Sequence, residues 1–345
     1  MAREDGGMVE TRQWQTTGAT GLTLQVEELR PNAVPPEQPG PASPGPARHP
    51  GEADTTVETD TTVEGGAAGT TSDLTAMADG PSTDDAPITL VHGIAGSAAD
   101  WAAVAPDLAA TRRVIAYDQR GHGASDRTPD GPAGYTFDLL LADLAAVLDA
   151  VGTEPVHLVG HSMGGVIALR YTLDHPERVR SLILVDTAAA PATATGPVAR
   201  RLVGALLDAG AAFLSARHAA TATATATAMN DDPPALAHHG TNPAQHAAEG
   251  IGQIDPEALA TLGRELGTYP SLVDRLGEIR VPTTVIVGEH DTGLRDAAAT
   301  MAHTIPGAHL AVIAGADHSP QATRPLAWLT AVDDHLARLP TTSHR

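Results

Sequence analysis

A serine flanked by glycines, a histidine and two aspartates are the residues of this chain best able to do chemistry together. In Val156-His157-Leu158-Val159-Gly160-His161-Ser162-Met163-Gly164-Gly165, the serine follows an apolar run and precedes a helix-like one. That is the strand–turn–helix setting of a G-x-S-x-G nucleophile elbow, whose tight turn strains the serine backbone and holds its hydroxyl out. Side chains two positions either side would collide, which accounts for Gly160 and Gly164. A serine hydroxyl needs a base to take its proton, and the base needs a third group to orient it. Gly288-Glu289-His290-Asp291 and Gly315-Ala316-Asp317-His318 each close a later apolar run, giving the chain order Ser162, Asp291, His318. The chemistry implied is acyl transfer. Asp186, which also ends an apolar run, is the alternative acid; its plainer reading is a helix N-cap or a loop hydrogen bond. Acyl transfer further needs donors for the developing oxyanion. The backbone N–H groups of Met163, opening the helix after the serine, and of Ile94, in His92-Gly93-Ile94-Ala95-Gly96-Ser97, are the candidates.

The remaining polar residues have plainer readings. His161 is expected to pack and hydrogen-bond, since an elbow points its neighbours away from the site. His122 and Arg120 brace the loop after residues 113–117, with Arg120 bonded to carbonyls or to Asp118. His238, His239 and His246 lack the fixed spacing of metal ligands and read as surface. Asp317 reads as a solvated loop acid. No metal and no cofactor is called for.

The elements that must position these groups alternate in type. Residues 22–29 alternate apolar and polar, as in a half-exposed antiparallel strand. Apolar runs at 88–92, 113–117, 156–160, 181–186, 283–288 and 309–314 read as buried strands. Helical patterns lie near 99–109, 136–151, 163–174, 294–304 and 324–338, with Thr136 as an N-cap. Such alternation predicts a mostly parallel sheet covered on both faces.

Two stretches interrupt it. Residues 31–50 hold eight prolines, and residues 51–86 carry nine acidic and no basic side chains. This segment buries too little apolar surface to offset its ordering entropy, so 31–86 is expected to be disordered. Residues 190–275 read as a helical cap over the catalytic end, with pieces at 199–216 and 256–266 and an Ala-Thr repeat at 219–228. The expected organisation is a disordered 1–13, core at 14–30, insertion at 31–86, core at 87–189, cap at 190–275 and core at 276–340.

Composition bounds the rest. The chain has 345 residues, no cysteine and a formal charge of −21, with arginine supplying all 21 basic side chains. The charge argues against nucleic acid or anionic membrane as a partner, although much of it sits in the acidic insertion. No apolar run approaches membrane-spanning length and no signal-peptide pattern opens the chain, so a cytoplasmic location is expected. Oligomeric state is not legible.

The chain resembles the α/β-hydrolase fold family, in particular its lid-bearing esterase-like members. The matching motifs are His92-Gly93, the segment from Tyr117-Asp118-Gln119-Arg120-Gly121-His122 to Ser125, Gly160 to Gly165, Gly288 to Asp291, and Gly315 to Pro320. They cover roughly 14–30 and 87–340. The resemblance implies a Ser162–Asp291–His318 triad, backbone donors at Ile94 and Met163, and cofactor-free hydrolysis of a small-molecule ester. Rival readings on the same triad are a carbon–carbon hydrolase, a lactonase and a cofactor-free haloperoxidase or perhydrolase. A non-catalytic receptor or scaffold of the same fold is the rival of another class. Relatives that open epoxides or remove halogens carry aspartate as nucleophile, which Ser162 argues against. The chain departs from the family in having Asp317 where glycine is common, and in the length of its early insertion.

Overall fold

Val114, Ile115, Ala116 and Tyr117 point alternately to the two faces of a sheet, and all four are buried. A strand buried on both sides belongs in a sheet covered by two helical layers. The computed structural model describes residues 9–32, 86–152, 155–191 and 253–340. Their strands are β1 (Glu10–Thr17), β2 (Thr23–Arg30), β3 (Ile88–Val91), β4 (Val114–Tyr117), β5 (Val156–His161), β6 (Val179–Val185), β7 (Thr283–Gly288) and β8 (His309–Ile313). They form one eight-stranded sheet in the order β1-β2-β4-β3-β5-β6-β7-β8. The β1–β2 and β2–β4 pairs are antiparallel, and all the others are parallel. The parallel strands therefore present their carboxyl ends along a single edge.

The helices are α1 (Ala105–Ala109), α2 (Phe137–Val151), α3 (Met163–Asp174), α4 (Pro256–Leu266), α5 (Thr292–Thr304), α6 (Pro320–Thr323) and α7 (Pro325–Ala337). On one face Leu158, Leu182, Leu184 and Val285 pack with Leu140 and Leu144 of α2 and Ile167 of α3. On the other, Val159, Ile183 and Ile286 pack with Leu108 of α1, Trp101, and Trp328 and Val332 of α7. Each such fully buried aliphatic side chain contributes roughly 1.5–3 kcal/mol. Thr136 Oγ1 accepts the Leu139 N–H at 3.2 Å, the N-cap expected for α2.

Several expectations need correction. The pattern over 99–109 is not one helix: a 3-10 turn at Ala98–Trp101 precedes the short α1. Pro106 lacks an N–H, and its ring would clash with the carbonyl four residues earlier. The pattern at 324–338 is one helix, α7, with the short α6 immediately before it. The strand at 22–29 lies between β1 and β4, and β1 begins at Glu10, inside the stretch expected to be disordered. Its sequence Glu-Thr-Arg-Gln-Trp-Gln-Thr-Thr is polar because it forms an exposed edge. The run at 309–314 forms the other edge, leaving Leu310 43% and Val312 42% exposed rather than buried.

Helix α4, expected within the cap, shares the apolar cluster of α2 and α3 through Ala258 and Leu262. Asp255 caps it through the Glu257 N–H at 2.9 Å and also accepts the Tyr135 hydroxyl at 2.6 Å. Glu265 Oε2 accepts the Phe137 N–H at 3.0 Å, at the start of α2. Two bonds join the stretch after α4 to the stretch after β6: Leu272 N–H to Ala189 O at 2.7 Å and Tyr269 Oη–H to Ala188 O at 2.8 Å. Residues 33–85 of the expected insertion at 31–86, the helical pattern at 199–216, the Ala-Thr repeat and His238, His239 and His246 lie outside the described residues.

Candidate active site

Ser162 stands between β5 and α3 with φ 52° and ψ −119°, a left-handed conformation that an L-residue adopts only under constraint. The constraint is visible in its bonds. Its N–H donates to Val185 O at 3.0 Å, and its carbonyl accepts the Thr187 hydroxyl at 2.7 Å. A Cβ on Gly160 would run into the Gly164 carbonyl, and one on Gly164 into Val91 O, so the elbow closes only with glycine at both positions. The result is a partly exposed hydroxyl above the carboxyl edge of the sheet.

The turn after β7 and the loop after β8 are bound to each other. Glu289 N–H donates to Ile313 O at 3.0 Å, His290 N–H to Ala316 O at 2.8 Å, and Gly315 N–H to Glu289 Oε2 at 2.8 Å. These bonds bring Asp291 and His318 together. His318 Nδ1 lies 2.6 Å from Asp291 Oδ2, and His318 Nε2 lies 3.0 Å from Ser162 Oγ. A carboxylate accepts only, so Nδ1 carries the hydrogen and Nε2 faces the serine as an acceptor. Asp291 holds the N-cap position of α5, yet its side chain makes no cap bond and turns to His318 instead. Its side chain is 13% exposed, whereas that of His318 is 50% exposed.

Beside the hydroxyl lie two backbone segments. Met163 is the first residue of α3, where helix geometry leaves N–H groups without an intrahelical acceptor. On the other side the Gly93–Gly96 turn closes with Gly96 N–H on Gly93 O at 3.1 Å, and it forces Ala95 to a φ of 60°. Gly93 approaches so closely that a Cβ there would sit 3.1 Å from Ser162 Cβ. This places the Ile94 turn against the nucleophile position.

A buried polar layer holds that turn. His92 Nε2 accepts the Gln119 N–H at 3.0 Å, His92 Nδ1 lies 2.7 Å from Gly93 O, and Gln119 Nε2 donates to His92 O at 2.7 Å. Burial pushes His92 down to about 4, so the ring is neutral and its Nδ1–H donates to Gly93 O. Asp118 accepts the N–H groups of Ala98 and Ala124 at 2.7 and 2.8 Å, tying the loop after β4 to the loop after β3. Arg120 does bond carbonyls, Gly134 O at 3.0 Å and Ala19 O at 3.1 Å, but not Asp118. Its carboxylate partner is Asp143 of α2, at 2.6 and 2.8 Å, and both side chains are fully buried. Sequence reasoning missed Asp143 and gave Gln119 no role, because their separation from Arg120 and His92 follows no local spacing rule.

His161 packs, as expected, and also donates from Nε2 to His318 O at 2.7 Å. His122 is buried with Nδ1 3.0 Å from Arg120 O, and burial pushes it down to about 3. Asp317 accepts weakly from Ser319 N–H and the Thr323 hydroxyl, both at 3.3 Å. Asp186 caps no helix. It is fully buried at the end of β6 and accepts the Gly288 N–H at 2.9 Å.

A second serine–histidine pair sits elsewhere. Ser181 Oγ lies 2.8 Å from both His335 Nε2 and His157 Nδ1, and His335 Nδ1 lies 2.8 Å from Thr284 Oγ1. Ser181, His157 and Thr284 are at the beginnings of their strands, and the whole group is buried. It joins sheet to α7 and offers no substrate a way in. Among the described residues, the cluster with metal-ligand proximity is Asp186, Asp291 and His318, and two of its members already bond each other.

Comparison with known proteins agrees with the fold. The sequence profile of the alpha/beta hydrolase fold family matches residues 86–325. A RutD protein of Azorhizobium caulinodans, whose name proposes a carbamate hydrolase, is 31% identical over 251 residues, covering 69% of this chain and 86% of that protein. The 2-hydroxymuconate semialdehyde hydrolase of a Pseudomonas species is 44% identical over 105 residues; the match covers 30% of this chain and only 36% of that enzyme. Among solved structures, an esterase of Thermogutta terrifontis superposes with a TM-score of 0.64 at 22% identity, covering 96% of this chain and all of that one. Among the described residues no helix is long and apolar enough to cross a membrane. The chain belongs to the α/β-hydrolase fold family.

Proposed function

We propose that this protein is a serine hydrolase that cleaves small or medium carboxylic esters through an acyl-enzyme. The observation that carries the reading is the unbroken line Asp291 Oδ2–His318 Nδ1 at 2.6 Å and His318 Nε2–Ser162 Oγ at 3.0 Å, starting from a strained elbow. His318 Nε2 takes the Ser162 proton as Oγ attacks the ester carbonyl, and Asp291 holds the tautomer and the imidazolium that forms. Backbone N–H groups of Ile94 and Met163 receive the oxyanion. Collapse expels the alcohol, which takes the proton from His318. Water then gives a proton to His318 and attacks the acyl-enzyme, and collapse releases the acid as His318 returns that proton to Ser162 Oγ.

The test is turnover of p-nitrophenyl acetate by Ser162→Ala, together with the mass shift left on Ser162 by a fluorophosphonate. Turnover retained by that variant, or a probe that leaves Ser162 unlabelled, overturns the proposal; labelling also separates a catalyst from a receptor of the same fold. One observation favours a second reading, cleavage of a carbon–carbon bond in a vinylogous diketone: the 44% identity to the Pseudomonas semialdehyde hydrolase over 105 residues. Parallel assay of ester chain lengths and of such a diketone decides between them.

A further inference from the structure

Asp186 is a fully buried carboxyl with a φ of 41°, a left-handed conformation that a non-glycine residue keeps only when its surroundings fix it. They do. Its N–H donates to Ile286 O at 2.9 Å, and its Oδ1 accepts the N–H of Gly288, which opens the turn carrying Asp291, also at 2.9 Å. Its other oxygen, Oδ2, is buried with no donor in reach among the described residues. Yet an oxygen of Asp186, an oxygen of Asp291 and a ring nitrogen of His318 all lie within 4.8 Å of one another. Two carboxylates this close, one sealed from water, do not both ionise.

Asp291 accepts the His318 Nδ1–H, and its side chain keeps some exposure. Asp186 has a single N–H donor and none of that exposure. We propose that Asp186 is a positioning residue: its carboxyl carries a proton at neutral pH and donates it as a hydrogen bond to Asp291, holding that carboxylate aimed at His318. The proton turns the unpartnered Oδ2 from an unsatisfied acceptor into a donor. Burial is the largest cause pushing Asp186 up, to about 8, with the charges of Asp291 and Asp317 adding and the Gly288 N–H opposing. The titratable groups facing it are Asp291, in the turn after β7, and Asp317 and His318, in the loop after β8. Since its folded value lies above the ordinary 3.8, the protonated form holds through neutral pH and is lost as pH rises through about 8. Loss of the proton sets two anions against each other and releases Asp291 from its donor.

The inference rests on the reading of Asp291 and His318 as acid and base for Ser162. It is tested by Asp186→Asn and Asp186→Leu, with kcat/KM for p-nitrophenyl acetate and the rate of fluorophosphonate labelling followed against pH. An asparagine keeps the acceptor for Gly288 and supplies a permanent N–H donor for Asp291. It is expected to stay within about tenfold of wild type at pH 7 and to lack the alkaline decline, centred near pH 8, that wild type shows. Leucine removes both bonds and lowers kcat about a hundredfold with little change in KM.

The infrared difference between wild type and Asp186→Asn is expected to contain a protonated-carboxyl band at pH 7. It needs no turnover and no leucine variant. An Asp186→Asn profile that keeps the wild-type decline, or absence of that band, overturns the inference. An inactive Asp186→Asn beside a near-normal Asp291→Asn overturns it as well, by making Asp186 the acid. Failure of the triad reading shows separately, as turnover retained by Ser162→Ala.

Discussion

His161 Nε2 donates to the carbonyl oxygen of His318 at 2.7 Å, so the residue preceding Ser162 holds the backbone of His318. The bond spans 157 positions in sequence and joins the elbow to the loop after β8. His161→Leu leaves the His318 carbonyl without its donor and the loop free to shift. Its kcat is expected to fall about tenfold with KM nearly constant, and His161→Gln, which keeps an N–H donor, to recover most of the loss. Steady-state kinetics on both variants check this.

Ser181→Ala separates the two serine–histidine pairs. The Ser181 hydroxyl links His157 and His335 in a closed layer far from any opening, so its loss is expected to leave turnover and Ser162 labelling unchanged. Stability is expected to drop by about 1–3 kcal/mol, since buried rings lose a partner. Urea unfolding beside an activity assay reads both outcomes; a large loss of turnover without unfolding would move the chemistry to Ser181.

The Arg120–Asp143 pair gives a different signature. Arg120→Met leaves a buried carboxylate without its main partner and is expected to cost about 3–5 kcal/mol. The double variant Arg120→Met with Asp143→Leu is expected to recover much of that, because it leaves no uncompensated charge. Denaturant midpoints of wild type, both single variants and the double variant form the cycle.

Acid is expected to unfold the protein through its histidines. Burial holds His92 and His161 near 4, and His122 and His335 near 3, all below the ordinary 6.5. Because the folded values are depressed, their stabilising contribution is complete above 6.5 and is lost as pH falls toward those values. Each adds a loss of about 1.4 kcal/mol per pH unit across its window. Thermal midpoints measured between pH 7 and pH 4 are expected to fall progressively more steeply.

What the sequence shows of this molecule and what it hides have physical causes. Strands β3 to β7 are legible because burial on both faces demands unbroken apolar runs. Ser162 and Asp291 follow such runs, and His318 follows the apolar sequence of the edge strand β8, so all three positions fall at one edge of the sheet. Edges obey no such demand: polar β1 was missed, and β8 was read as buried although Leu310 and Val312 face outward. Partners set by tertiary packing were also hidden. Nothing local tells Arg120 that its carboxylate lies on α2, or places the Asp186 carboxyl beside that of Asp291.

The Leu272–Ala189 and Tyr269–Ala188 bonds tie the stretch after α4 directly to the stretch after β6. The bonds span 81 to 83 positions in sequence, so they act as a clasp: the two stretches that flank the carboxyl edge of β6 hold each other by backbone and hydroxyl contacts that most side-chain substitutions leave intact.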